Sequence, residues 1–265
     1  MSRQPRDGST EDGLCAALLR FVEDDRIPEL RQALSGFNHR CRNTLNSMKM
    51  GFYLTRRAAT DPLPERWEEM NRTYEGVEGL FELIQTIYRT MALTTVRQTF
   101  QAVVDERGAG WRAAFQREGA TLAIRPPARE DAGEFDATRI ASAFDGFVAW
   151  RASRLGSGGQ AILSWGTTRR RFELSWHELP STAATARGGG GESRCPAAAL
   201  AATTRSLALP LLARVVAEHR GRLSWTPGPP AEARIRWPLT VTADPPSPRR
   251  PPAVATNLQR PATLP

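Results

Sequence analysis

Apolar residues recur at helical spacing along the first hundred positions. Leu30, Leu34, Phe37, Cys41, Leu45, Met48 and Phe52 follow one another by steps of four and three, which places them on a single stripe of a helix. The stripe predicts a helix from Pro28 to about Arg57. Pro28 suits its first turn, where a backbone N–H has no intrahelical partner to lose. The segment Ala58 to Pro64 carries two prolines and reads as a turn that ends this helix and starts the next. Trp67, Met70, Tyr74, Val77, Phe81, Ile84, Tyr88 and Met91 then alternate steps of three and four, a heptad seam that fades towards Val104. Two long helices joined by a short loop predict an antiparallel hairpin. A lone hairpin buries too little apolar surface, so two copies are expected to pair as a four-helix bundle. A shorter apolar segment, Leu14 to Val22, predicts one more helix ahead of it.

The texture changes near Gly108. Thr121 to Ile124 reads as a strand, and Thr138 to Arg154 as a helix with Ile140, Phe144, Phe147 and Val148 on one side. Gln160 to Trp165 and Arg171 to Trp176 alternate as a β-hairpin. Pro180 to Pro196 is rich in Gly, Ala and Ser and reads as a flexible loop. Leu207 to His219 reads as a helix stopped by Gly221, followed by strands at Arg222–Trp225 and Ala233–Trp237. The expected class is therefore α+β. Residues 1–13 are expected to be disordered, 14–107 to form the hairpin domain, 108–241 an α/β sandwich, and 242–265 a disordered proline-rich tail.

Charge and cysteine content narrow the possibilities. The 265 residues carry a formal net charge of +8. Lys49 is the only lysine among 36 basic residues, an arginine skew that reads as genome composition. No basic run interleaved with aromatics accompanies it, so no nucleic-acid partner is expected. Cys15, Cys41 and Cys195 are scattered and make neither a disulfide framework nor a metal cluster. No stretch approaches 18 consecutive apolar residues, and the polar start Met1–Asp7 has no signal-peptide pattern, so no membrane partner and a cytoplasmic location are expected.

His39 is the leading candidate for chemistry. It lies two residues from both Phe37 and Cys41, about 200° around the helix from each, and so faces water. Its surroundings, His39-Arg40-Cys41-Arg42-Asn43-Thr44-Leu45-Asn46, resemble the phospho-acceptor box of sensor histidine kinases. His39, Arg42, Asn43, Leu45 and Asn46 match that pattern. Downstream, Leu207 to Leu223 resembles the closing helix and strand of the kinase ATP-binding domain. The resemblance spans about residues 28–240. It implies a dimerisation and phosphotransfer hairpin followed by a Bergerat-type sandwich, with His39 as phospho-acceptor and Arg40, Arg42 and Asn43 supporting it. Response-regulator receiver domains are the implied partners and a homodimer the implied assembly.

The departures from the family pattern imply a degenerate nucleotide site. Aligning α-helical residues 139–150 on the family's first sandwich helix puts Trp150 at the magnesium-binding Asn and Gly146 at the other Asn. Trp150 has no oxygen for a hard cation. His177-Glu178-Leu179-Pro180 stands where an adenine-reading Asp-x-Gly-x-Gly box belongs, and Thr203-Thr204-Arg205-Ser206 where a Gly-x-Gly box belongs. The run Gly188–Gly191 lacks the strand-to-helix setting of a phosphate loop. Neither ATP nor magnesium nor any other cofactor is therefore expected. The acid that normally follows the histidine and accepts its hydrogen bond is replaced by Arg40, which can accept none. These features favour a histidine phosphotransferase fed by an aspartyl phosphate on another protein. A divergent ATP-dependent kinase and a dimeric non-catalytic signalling scaffold are the alternatives, and labelling from ATP or from a phosphorylated receiver separates the three.

Overall fold

The computed structural model describes residues 10–60, 63, 65–168, 170–179, 196–228 and 230–240. The expectations for residues 1–9, the loop 180–195 with its run of glycines, and the tail from 242 lie outside the described residues.

Seven helices and seven strands are described: α1 Thr10–Glu23, α2 Ile27–Ala58, α3 Glu65–Tyr88, β1 Val96–Gln98, α4 Phe100–Arg117, β2 Thr121–Arg125, β3 Gly133–Phe135, α5 Ala137–Leu155, β4 Gln160–Thr168, β5 Arg171–Leu179, α6 Pro196–Ser206, α7 Ala208–Glu218, β6 Arg222–Thr226 and β7 Glu232–Pro238. The class is α+β. β1 and β3 pair as a two-stranded ribbon, and the main sheet is mixed, in the order β2-β4-β5-β7-β6. β2 and β4 are parallel, and the remaining pairs are antiparallel.

The long helices start and stop where local chemistry allows. Pro28 occupies the first turn of α2, Glu29 lies in that turn, and Arg56 and Arg57 lie in the last. Acid first and base last suit the partial charges of the helix ends. α2 and α3 run side by side in opposite directions. Arg31 reaches Tyr88 at one end, Arg42 meets Gln85 and Lys49 meets Glu78 along the way, and Phe52 packs on Trp67 at the other end. The apolar stripe of α2 is not buried within one chain: Phe37 and Met48 are about half exposed. On α3, Tyr74 and Tyr88 are buried while Met70 and Val77 stay open.

Three expected boundaries move. α1 begins at Thr10, inside the segment expected to be disordered. α3 ends at Tyr88, and the continuation towards Val104 belongs to a separate helix, α4, so a boundary at 107/108 would cut that helix in two. The reason is capping. Thr99 accepts from the Ala102 N–H, and the Glu130 carboxylate takes the Phe100 and Gln101 N–H groups at 2.6 and 3.1 Å, which satisfies the free donors of a new helix start. Pro196, expected at the end of a loop, opens α6.

The core lies between the inner face of the main sheet and helices α4, α5 and α7. Phe172, Leu174 and Trp176 of β5 alternate inwards, as do Ala161, Leu163 and Trp165 of β4 and Ala233, Ile235 and Trp237 of β7. From α5, Ile140, Phe144, Phe147 and Val148 meet them, as their spacing predicts. Fully burying one such side chain is worth about 1.5–3 kcal/mol. α7 stops at His219, and the left-handed residue is Arg220 (φ 56°) rather than Gly221. Gly221 is needed for a different reason: a Cβ there would sit 2.4 Å from the Arg236 carbonyl oxygen. The stretch Leu200–Glu218 is apolar and long enough to cross a membrane by composition, but it is broken at Leu207 and 56% buried within the fold.

Candidate functional site

His39 sits near the middle of α2 and is exposed. One turn on, Asn43 places Nδ2 3.3 Å from His39 Nε2. With the amide nitrogen as donor, this contact engages the Nε2 lone pair, so Asn43 orients the resting ring.

The neighbouring arginines divide their roles. Arg40 is exposed and has no carboxylate partner among the described residues. Arg42 turns across to α3, where its Nη2 donates to Gln85 Oε1 at 2.6 Å. Arg31 donates from Nε to the Tyr88 carbonyl at 2.9 Å. Arg42 and Arg31 therefore brace the two helices against each other, and Arg40 is the cation left facing solvent beside His39.

The sandwich places the other predicted positions on two sides of the main sheet. Gly146 lies on α5 facing α7, where a Cβ would meet the Ala208 Cβ at 3.5 Å. Trp150, one turn further, is buried and packs its ring on Phe147 and Trp225 with centroids 6.1 and 5.8 Å apart. The Arg151 guanidinium stacks 4.5 Å over Trp150 and 5.0 Å over Trp225. Nε and Nη2 of Arg151 then grip both carboxylate oxygens of Glu178, each at 2.7 Å, and Trp176 Nε1 donates to Glu178 Oε1 at 2.8 Å. Bidentate geometry of this kind is the strongest form of the arginine–carboxylate contact. His177, grouped above with the nucleotide positions, points the other way. It stands on the outer face of the sheet, half exposed, with Nδ1 3.0 Å from Glu232. The inward residue at the end of β5 is Glu178, because strand residues alternate faces.

Thr203 to Ser206 form the last turn of α6, with Ser206 Oγ donating to the Thr203 carbonyl at 2.8 Å and Thr204 Oγ1 to Leu200 at 2.9 Å. Backbone N–H groups committed to a helix cannot cradle a phosphate. Among the described residues, no three His, Cys, Asp or Glu side chains converge as a metal site would need.

In the sequence Glu178 stands out only within the stretch His177–Pro180, without a role, and Arg151 is not singled out. The signal for Glu178 was present: it continues the inward alternation Phe172, Leu174, Trp176 and is a buried acid in need of a cation. Arg151 carried none, since a charged residue in the last turns of a helix reads as surface.

No family model and no curated protein matches the chain. Solved structures do. ShkA, full-length and in complex with AMPPNP, superposes with a TM-score of 0.57 at 14% identity over 80% of this chain and 47% of its own. Histidine kinase ThkA in complex with response regulator protein TrrA gives 0.52 at 12%, over 84% and 67%. The fold is histidine kinase-like. The histidine kinase AdeS of Acinetobacter baumannii matches at 0.48 and 14%, over 76% of this chain and 98% of its own. The chain spans about half of ShkA, and its kinase-like sandwich carries Trp150, Arg151 and Glu178 packed together as described.

Proposed function

We propose that this chain is a histidine phosphotransferase of a two-component phosphorelay, in which His39 takes a phosphoryl group from, or returns it to, the Asp of a response-regulator receiver domain without using ATP. The observation that carries the reading is the packing at the end of β5. Trp150, Trp225 and the Arg151–Glu178 pair fill the space beside α5 with the chain's own side chains. The acid at that position is already bound twice by a guanidinium, and the residue at the family's magnesium position is an indole.

Transfer needs little from the protein. The Nε2 lone pair of His39 attacks phosphorus, the bond from phosphorus to the aspartyl oxygen breaks, and the carboxylate leaves with the electron pair. An aspartyl phosphate is already activated, so positioning and charge neutralisation suffice. The Asn43 amide, one turn away, orients the resting ring and releases the Nε2 lone pair before attack, and Arg40 offers its charge to the phosphoryl oxygens and to the acidic pocket of a receiver. ThkA, one of the structural matches, is itself bound to a response regulator.

The chain acts as a homodimer in this reading. Phe37, Met48, Met50, Tyr53, Leu54 and Met70 on α2 and α3 are 46–57% exposed. Large apolar side chains left open in this number mark an interface, and a second hairpin closing on them makes the four-helix bundle. The direct test is incubation with a receiver domain phosphorylated by acetyl phosphate. Label is expected on the wild type and absent from His39→Ala. Equal labelling of both proteins, or of neither, would remove His39 from the relay.

A further inference from the structure

The last turn of α3 is held from three directions. Arg42, one turn past His39, donates to Gln85, whose side chain is buried. Arg31, two turns before His39, donates to the Tyr88 carbonyl. The third contact comes from the sandwich. Arg214 of α7, nine-tenths buried, donates from Nε to the Ile87 carbonyl at 3.0 Å and is ion-paired to Glu218. Carbonyls at a helix C-terminus have no partner within the helix and carry its negative end, so arginines are the side chains that satisfy them best.

Further contacts fasten the same junction. α1 folds back on α7 and buries Cys15, Leu18 and Val22, with Cys15 Sγ donating to the Ser206 carbonyl at 3.3 Å. Past α3, the Thr94 N–H donates to Asp136 Oδ2 at 2.8 Å, and Arg139 Nε donates to the Ala92 carbonyl at 3.1 Å. Leu200 of α6 lies so close to Gly76 of α3 that a Cβ on Gly76 would come within 2.7 Å of it. Pinned at α1, at α3 and at the connecting segment, the sandwich is a fixed brace on the helix pair.

We propose that Arg214 is a positioning residue for His39. It ties the sandwich to the last turn of α3, and that turn, through Gln85 and Arg42, sets the orientation of the α2 segment carrying His39. The proposal rests on the phosphotransfer reading for its consequence and on the hydrogen-bond network alone for its geometry. A domain that delivers ATP to a histidine must travel; a domain that only orients the histidine must stay still.

The experiment uses the full chain and two readouts. Hydrogen exchange of residues 85–94 reports the clamp without any receiver. Single-turnover transfer from a receiver phosphorylated by acetyl phosphate reports its effect on His39. Arg214→Met is expected to speed exchange in this segment at least tenfold and to slow transfer about tenfold at saturating receiver, with KM unchanged because the docking surface on α2 is intact. Arg214→Lys, which keeps a donor, is expected to recover most of both. Gln85→Leu cuts the link to α2 while leaving Arg214 in place, and is expected to slow transfer alike; it serves where Arg214→Met does not fold. Unchanged exchange in Arg214→Met overturns the clamp. Faster exchange with unchanged transfer, or normal transfer in Gln85→Leu, overturns the positioning role. Absence of transfer in the wild type overturns the phosphotransfer reading and leaves the clamp to be judged by exchange.

Discussion

Removing one partner of the Arg151–Glu178 pair is the sharpest test of what fills the sandwich beside α5. The pair is dry: the side chains are 11% and 4% exposed, and both contacts are 2.7 Å. Arg151→Met leaves the Glu178 carboxylate buried with only the Trp176 N–H to bind it. Stranding a buried charge in this way costs about 3–5 kcal/mol. For a chain of this size that lowers Tm by roughly 6–20 °C. Arg151 also stacks on Trp150 and Trp225, so methionine, which keeps the aliphatic contact, isolates the charge from the packing. Replacing both partners, Arg151→Met with Glu178→Leu, removes two desolvated charges together and is expected to lie within about 1.5 kcal/mol of wild type. Urea and thermal unfolding of the four proteins give the cycle. A loss below 1 kcal/mol in Arg151→Met, or a double variant as unstable as the single, would show that the pair is not a buried unit and that the space is not closed by it.

Three other outcomes follow from the geometry. His219 is fully buried; its Nε2 accepts from the Asp136 N–H at 2.9 Å and its Nδ1 donates to the Val215 carbonyl at 2.7 Å, and burial pushes its pKa down despite that bond. The unfolded chain therefore binds the extra proton first. The stabilisation is fully present above about pH 6.5 and falls as pH drops below it, by up to about 1.4 kcal/mol per pH unit; denaturation of His219→Asn between pH 8 and pH 5 is expected to lack this component of the slope. Arg40→Glu is expected to slow association with a phosphorylated receiver several-fold at low salt, with the two proteins converging near 1 M salt as screening removes the difference; stopped-flow mixing across a salt series checks this. Met50→Asp with Leu54→Asp places charges on the open face of α2 and is expected to convert a dimer to a monomer in light scattering, while helical content in circular dichroism stays unchanged.

Much of this architecture is legible in local pattern. The extents of α2 and α5 and the alternation of β4, β5 and β7 follow from apolar spacing; α5 and the strands bury their apolar side, while the stripe of α2 is only partly covered. What escapes is set by contacts distant in sequence. α4 is hidden because the heptad seam drifts on past Tyr88 and the cap that starts the new helix, Glu130, lies thirty residues away. α6 is hidden because its alanines and threonines read as loop beside a glycine-rich run. In the site, His39 and Asn43 fall on one face by spacing alone, and the structure joins them. The pairing of Arg42 with Gln85, of Arg214 with Ile87 and of Arg151 with Glu178 has no local signature at all. His177 and Glu178 differ by a single position, and one position on a strand is the whole difference between the two faces of a sheet.

The central claim concerns the source of the phosphoryl group, and parallel labelling tests it most directly. Wild type and His39→Ala are each given radiolabelled ATP with magnesium, or a receiver domain carrying a labelled aspartyl phosphate. The account predicts label on His39 from the receiver and none from ATP. Label on His39 from ATP alone would contradict it.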